Sequence, residues 1–155
     1  MKDKLVIADF IPSGKDKFEE VRSLGISRIS FKRVPDQFSD TLILENTFHQ
    51  KGGPAKHLHF NQDEWFYALE GEFLIEVGER QCKMKPGDSI LAPRMIPHVW
   101  AYTGNSIGRM LIVFSPAGKM VEFFREVNKT SAMPIQDPQL WLDHDMKLVG
   151  PPLKV

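Results

Sequence analysis

Between residues 28 and 115 the chain alternates short apolar runs with breaks of Gly, Pro, Asp and Asn, roughly every ten residues. Half-buried strands separated by turn residues at that interval predict an all-β sandwich or barrel. The strands predicted are 28–33, 41–50, 55–59, 64–70, 72–78, 81–84, 89–91, 98–103 and 109–114. Glu70-Gly71 and Lys85-Pro86-Gly87-Asp88 read as hairpin turns. The run "RMLIVFS" at 109–115 is apolar at successive positions, which predicts a central strand covered on both faces.

Outside this block the pattern changes. Within 12–25, Phe18 and Val21 recur at helical spacing and Gly25 follows as a stop, which predicts a short helix. After the last strand, Ser115 can cap a helix and Pro116 suits its first position. Met120, Phe123, Phe124 and Val127 then form one apolar stripe. That stripe predicts a helix packed on the outside of the barrel. A second short helix is predicted to start at Asp137-Pro138, and the tail 150–155 reads as irregular. No repeat or low-complexity stretch breaks the chain, so one domain over 1–155 is expected. Its barrel core would span about 28–115 and its C-terminal helical segment 116–155.

Composition removes several function classes. Lys plus Arg and Asp plus Glu are 20 each. That balance gives no electrostatic reason to expect nucleic acid or an anionic membrane as partner. No apolar run is long enough to span a bilayer, and Asp9 interrupts the short apolar start that a secretory signal would need. Cys82 is the sole cysteine, so an internal disulfide and a thiolate-rich metal site are both ruled out. It reads most simply as a small buried residue. These features together predict a cytoplasmic protein. Exposed edge strands make a homodimer the expected assembly.

The candidate chemistry lies in "HLHFNQDEWFYALEG". Alternation along a strand points His57 and His59 the same way, about 7 Å apart, with Leu58 opposite. Two imidazoles so placed can converge on one ion. The turn from Phe60 to Asp63 resets the alternation, so Glu64 can open the next strand facing the same interior. His98 follows a loop stiffened by Pro93 and Pro97 and can pair opposite the first two. Three imidazoles and a carboxylate suit Fe, Mn, Ni, Cu or Zn as divalent ions rather than Ca or Mg. Taken singly, each residue has a plainer reading: edge-strand histidines, a surface carboxylate, a core histidine. Asp63 is a fallback ligand that its place in the turn argues against. His49 and His144 lack partners at useful spacing and read as surface residues.

The order and spacing of the four resemble the two motifs of the cupin superfamily. The first motif is matched by Gly52-Gly53, His57-x-His59, four residues, Glu64, six residues, Gly71. The second is matched by Gly87, five residues, Pro93, then His98. Met95 stands where that motif has glycine, and Tyr102 where it has asparagine. The resemblance implies a double-stranded β-helix, or jelly-roll barrel, with one or two flanking C-terminal helices. It implies one metal between the two sheets, with His57, His59, Glu64 and His98 as ligands. Within the superfamily the chain resembles single-domain, quercetin-dioxygenase-like cupins.

If His98 points inward, alternation sends Trp100 and Tyr102 inward as well, and Glu64 carries Phe66 and Ala68 with it. An aromatic pocket would suit a planar or apolar small molecule. Gln62, Tyr67, Arg94 and Tyr102 are candidates to support the ligands or meet the substrate. Arg94 at the rim is the candidate for an anionic group. The functional expectation is a metal-dependent dioxygenase acting on a small aromatic or enolisable substrate, with Glu64 as ligand or base. The alternatives are a non-oxidative isomerase, lyase or decarboxylase using the same ion as Lewis acid, and a barrel that binds a small molecule without turnover.

Overall fold

A computed structural model describes residues 8–155 of the chain. Eleven strands and two helices follow one another as β1 (Arg22–Ser23), β2 (Ser27–Arg33), β3 (Leu42–Phe48), β4 (Lys56–His59), β5 (Asp63–Glu70), β6 (Phe73–Val77), β7 (Arg80–Met84), β8 (Ser89–Ala92), β9 (His98–Tyr102), β10 (Gly108–Ser115), α1 (Met120–Asn128), α2 (Pro138–Leu142) and β11 (Met146–Gly150). The strands form two antiparallel sheets, one ordered β1-β2-β3-β10-β5-β8 and the other β11-β4-β9-β6-β7. Their inner faces meet in one apolar core that includes Phe31, Leu44, Phe66, Phe73, Ile75 and Phe114. The fold is an all-β jelly-roll barrel with two short C-terminal helices.

The two turns expected to close hairpins instead carry the chain between sheets. β5 pairs with β10 and β8, while β6 pairs with β9 and β7, so Gly71 is a corner. Lys85–Asp88 likewise leads from β7 in one sheet to β8 in the other. The tight hairpin is at Gly78-Glu79, where Val77 faces Arg80. Gly78 has φ of 58°, the backbone that a two-residue hairpin turn demands.

β10 is central, as its sequence predicts, but it is not covered on both faces. Its inward residues are buried and its outward residues are half-exposed. On that outer face Ile43, Val113, Trp65 and Leu91 stand side by side across four strands. Cys82 is half-buried rather than buried.

The expected helix within 12–25 is absent. Asp16 accepts hydrogen bonds from the backbone N–H groups of Phe18 and Phe31 and pairs with the buried Arg22. That side chain draws the segment onto β2 instead of letting it coil. Phe18 and Val21 are left exposed, so no apolar helical face forms. The later helix begins at Met120, because Ser115 stays in β10 opposite Asp63. It does not lie on the outside. Phe124 packs on Phe31 and Phe114, and Phe123 packs on Trp141, so α1 closes an open end of the barrel. α2 starts as expected, with Asp137 accepting from the Gln139 N–H at 3.0 Å. β11 was not expected. It adds to the edge of β4, with Met146 opposite His59 and Leu148 opposite His57.

Candidate metal centre

The four chemistry-bearing residues reach one point from both sheets. β4 supplies His57 and His59, and β9 places His98 directly across from His57. β5, in the facing sheet, supplies Glu64. All four are buried, and one donor atom from each lies within 4.8 Å of the others.

The histidines are held so that their Nε2 atoms face inward. His57 Nδ1 lies 2.7 Å from the Ala55 carbonyl, and His98 Nδ1 lies 3.1 Å from that of Ile96. His59 Nδ1 lies 3.2 Å from Gln62 Oε1. Each Nδ1–H therefore donates outward, which leaves the Nε2 lone pair for the centre. Glu64 Oε2 sits 2.8 Å from His98 Nε2 and 3.0 Å from His59 Nε2. The second approach is poorly aligned, and His59 Nε2 is buried without a hydrogen bond. Acceptor atoms this close need a cation among them: protons in the free protein, a metal ion in the loaded one. The orphaned Nε2 and the N₃O donor set fit a divalent transition metal.

Electrostatics favour the ligand forms. Burial pushes His57 well below the ordinary imidazole range, and repulsion from the neighbouring His98 and His59 adds to that, so it is neutral at pH 7. Burial pushes the Glu64 carboxyl up, but the closeness of the His59 imidazole and the hydrogen bond with His98 outweigh it. Glu64 is held well below the usual carboxylate range and is ionised.

A family model for the cupin domain matches residues 46–114, which carry all four donors. The matched segment of the barrel is a cupin domain. Among solved structures this cupin is similar to KdgF from Halomonas sp. (TM-score 0.60, 18% identity, 71% of this chain and 94% of that one). It is also similar to an RmlC-like cupin from Shewanella frigidimarina (TM-score 0.58, 20% identity, 74% and 96%). A third likeness is to Pac13, a nucleoside dehydratase from Streptomyces (TM-score 0.56, 10% identity, 85% of each chain). At such identities these likenesses speak for the fold. No curated protein matches the chain in sequence.

A narrow, mostly apolar cavity of about 50 Å³ reaches the centre, with His57, His59 and Glu64 in its wall. Of the residues expected to line it, Trp100 does. Phe66 does not: its ring packs 6.1 Å from that of His98 and 5.7 Å from that of Trp100, in the core. Tyr102 also points inward, but it is two residues further along β9 than Trp100. Its ring fills a socket where an added Cβ at Gly71, Gly104 or Gly108 would collide with it, and its hydroxyl accepts from the Ser106 N–H. Arg94 is exposed and is held by Asp63, which points away from the interior. Tyr67 lies on the outer face against Trp65. Gln62 buttresses His59. His49 is exposed, while His144 is half-buried and packs on Phe123.

Much of the cavity wall comes from outside the matched segment: Met120, Phe123, Trp141 and Met146 belong to α1, α2 and β11. Trp141 lies against His57, ring centres 4.9 Å apart. Periodicity revealed α1 but not what it covers. Asn46, also in the wall, is marked in the sequence by its place on β3. It interrupts the inward series Leu42, Leu44, Phe48 of β3 with an amide.

Proposed function

We propose that this cupin is a metal-dependent dioxygenase that inserts O₂ into a small, largely apolar, aromatic or enolisable molecule. The convergence of three inward-facing imidazole Nε2 atoms on the Glu64 carboxylate carries this reading. His57, His59, Glu64 and His98 would hold one Fe, Mn, Ni, Cu or Zn ion. When bound, the ion would supply a Lewis-acid and, for iron, manganese or copper, a redox centre. Glu64 is the one carboxylate of the described cavity wall and would be the group to take a proton from an enolisable substrate. The apolar wall from α1, α2 and Trp100 excludes water and orients a flat substrate by contact.

The make-up of the wall favours oxygenation over elimination or hydration. Among the described residues, besides Glu64 and the histidines, it contains no carboxylate, lysine or tyrosine. A lyase or dehydratase that protonates its leaving group with a separate acid would need a second acid–base group, and the described wall offers none beyond the four candidate ligands.

Two measurements test the reading. Elemental analysis of purified protein should find about one transition-metal ion per chain, lost in His57→Ala and His98→Ala. Full occupancy in both variants would rule the centre out. Oxygen uptake by the Fe, Mn and Ni forms over a panel of flavonols and β-diketones should then reveal turnover. Equal turnover without oxygen would instead point to non-oxidative chemistry.

A further inference from the structure

We propose that Asn46 determines specificity, by recognising a hydroxyl at the far end of an elongated, flat and otherwise apolar ligand whose near end meets the metal. This rests on the metal-centred reading above and names the class of molecule the cavity would take, its apolar lining opening beyond the roughly 50 Å³ now free to admit a flat body. Asn46 is buried, and its Oδ1 has no hydrogen-bond partner among the described residues. Its neighbours across the sheet explain why: Met110 on β10 and Ile29 on β2 are both apolar. An amide oxygen buried among hydrocarbons opposes folding, so an Asn held there points to a ligand that completes it.

The register gives the reach. Met110 faces Ala68 on β5, and Ala68 lies four residues along that strand from Glu64. Four strand residues span about 13 Å and the two strand spacings about 10 Å at right angles to them, so the two backbones are about 16 Å apart and their inward side chains less. Asn46 and Glu64 both belong to the wall of the one cavity, so it runs from the amide to the metal centre. The residues between, including Leu44, Trp100, Ile112 and Phe114, are apolar or aromatic. Apart from the histidines, Glu64 and the tryptophans, Asn46 is the one described lining residue with a polar side chain. The matching ligand has oxygen donors at the metal end, a flat apolar body, and a hydroxyl that donates to Oδ1 roughly 10 Å away.

Two β-diketones serve as probes: 1-phenylbutane-1,3-dione and its para-hydroxyphenyl counterpart. They are titrated calorimetrically into nickel-loaded and metal-free protein, wild type and Asn46→Leu. The wild type should bind the hydroxylated probe about tenfold more tightly, a difference of about 1.4 kcal/mol. Asn46→Leu should bind the two alike, keep its nickel, and melt no lower than wild type, because the orphaned oxygen is gone. Absence of any preference in the wild type overturns the proposal. So does a preference that survives in Asn46→Leu, or a melting temperature several degrees lower. Metal dependence is read separately: equal binding by metal-free protein would sink the metal-centred function, while the hydroxyl preference would still judge Asn46.

Discussion

His57 and His98 lean on main-chain carbonyls, but His59 leans on a side chain, Gln62. Gln62→Leu should therefore weaken metal binding by roughly 10–100-fold while leaving the barrel folded, as read from a competition titration. The same anchor needs space at Gly118, where an added Cβ would come within 2.0 Å of Gln62 Nε2. Gly118→Ala should lower metal affinity in the same direction. Met95 tells of a different cost. It occupies the glycine position of the second cupin motif with φ of 68°, left-handed backbone that glycine adopts freely. Its N–H still donates to the His59 carbonyl at 2.7 Å. Met95→Gly should raise stability by up to about 1 kcal/mol in chemical denaturation, with metal content unchanged. At this scale the candidate ligands were legible because strand alternation and motif spacing fix which side chains share a face. Tyr102 and Arg94 were misplaced because alternation gives the face but not the depth along the strand, and does not reveal a partner such as Asp63.

The elements repeat that division. Nearly every strand was readable from apolar runs, because each buries one face. Which turns join strands of one sheet was not, since Gly71 and Gly87 supply positive φ at corners as readily as in hairpins. β11 escaped because only its first residue is buried and the rest alternates between partial and full exposure. Yet it pairs with the strand that carries two candidate ligands, and α2 before it sets Trp141 against His57. That contact makes the C-terminal segment a reporter on the centre. Adding Ni(II) or Cu(II) to metal-free protein should quench tryptophan emission, with a clearly smaller change in Trp141→Phe. An unaltered response in that variant would place the reporting tryptophan elsewhere, with Trp100 the next candidate.

The whole molecule feels the centre through protons. His57 is pushed below its ordinary range by burial, so the unfolded chain takes up a proton near pH 6.5 that the folded chain resists. The metal-free barrel thus has this contribution in full above about pH 6.5 and loses it as pH falls toward the folded value. Glu64 acts in the same direction at lower pH. Its folded value is depressed, so its contribution is full above the unfolded carboxylate range, about pH 4.5, and disappears below it. Acid should therefore destabilise in two stages, with His57 responsible for the first. The slope it can impose is at most about 1.4 kcal/mol per pH unit, that of one proton. Denaturant unfolding in EDTA at pH 5, 6, 7 and 8 measures it. His57→Phe keeps an aromatic ring against Trp141 but cannot titrate, so its stability should be flatter from pH 5 to 6.5. An unchanged slope in that variant would assign the first stage to another group. Excess metal should lift the wild type most at pH 8 and least at pH 5, since the ion needs the same imidazoles unprotonated, and should lift His57→Phe little at any pH.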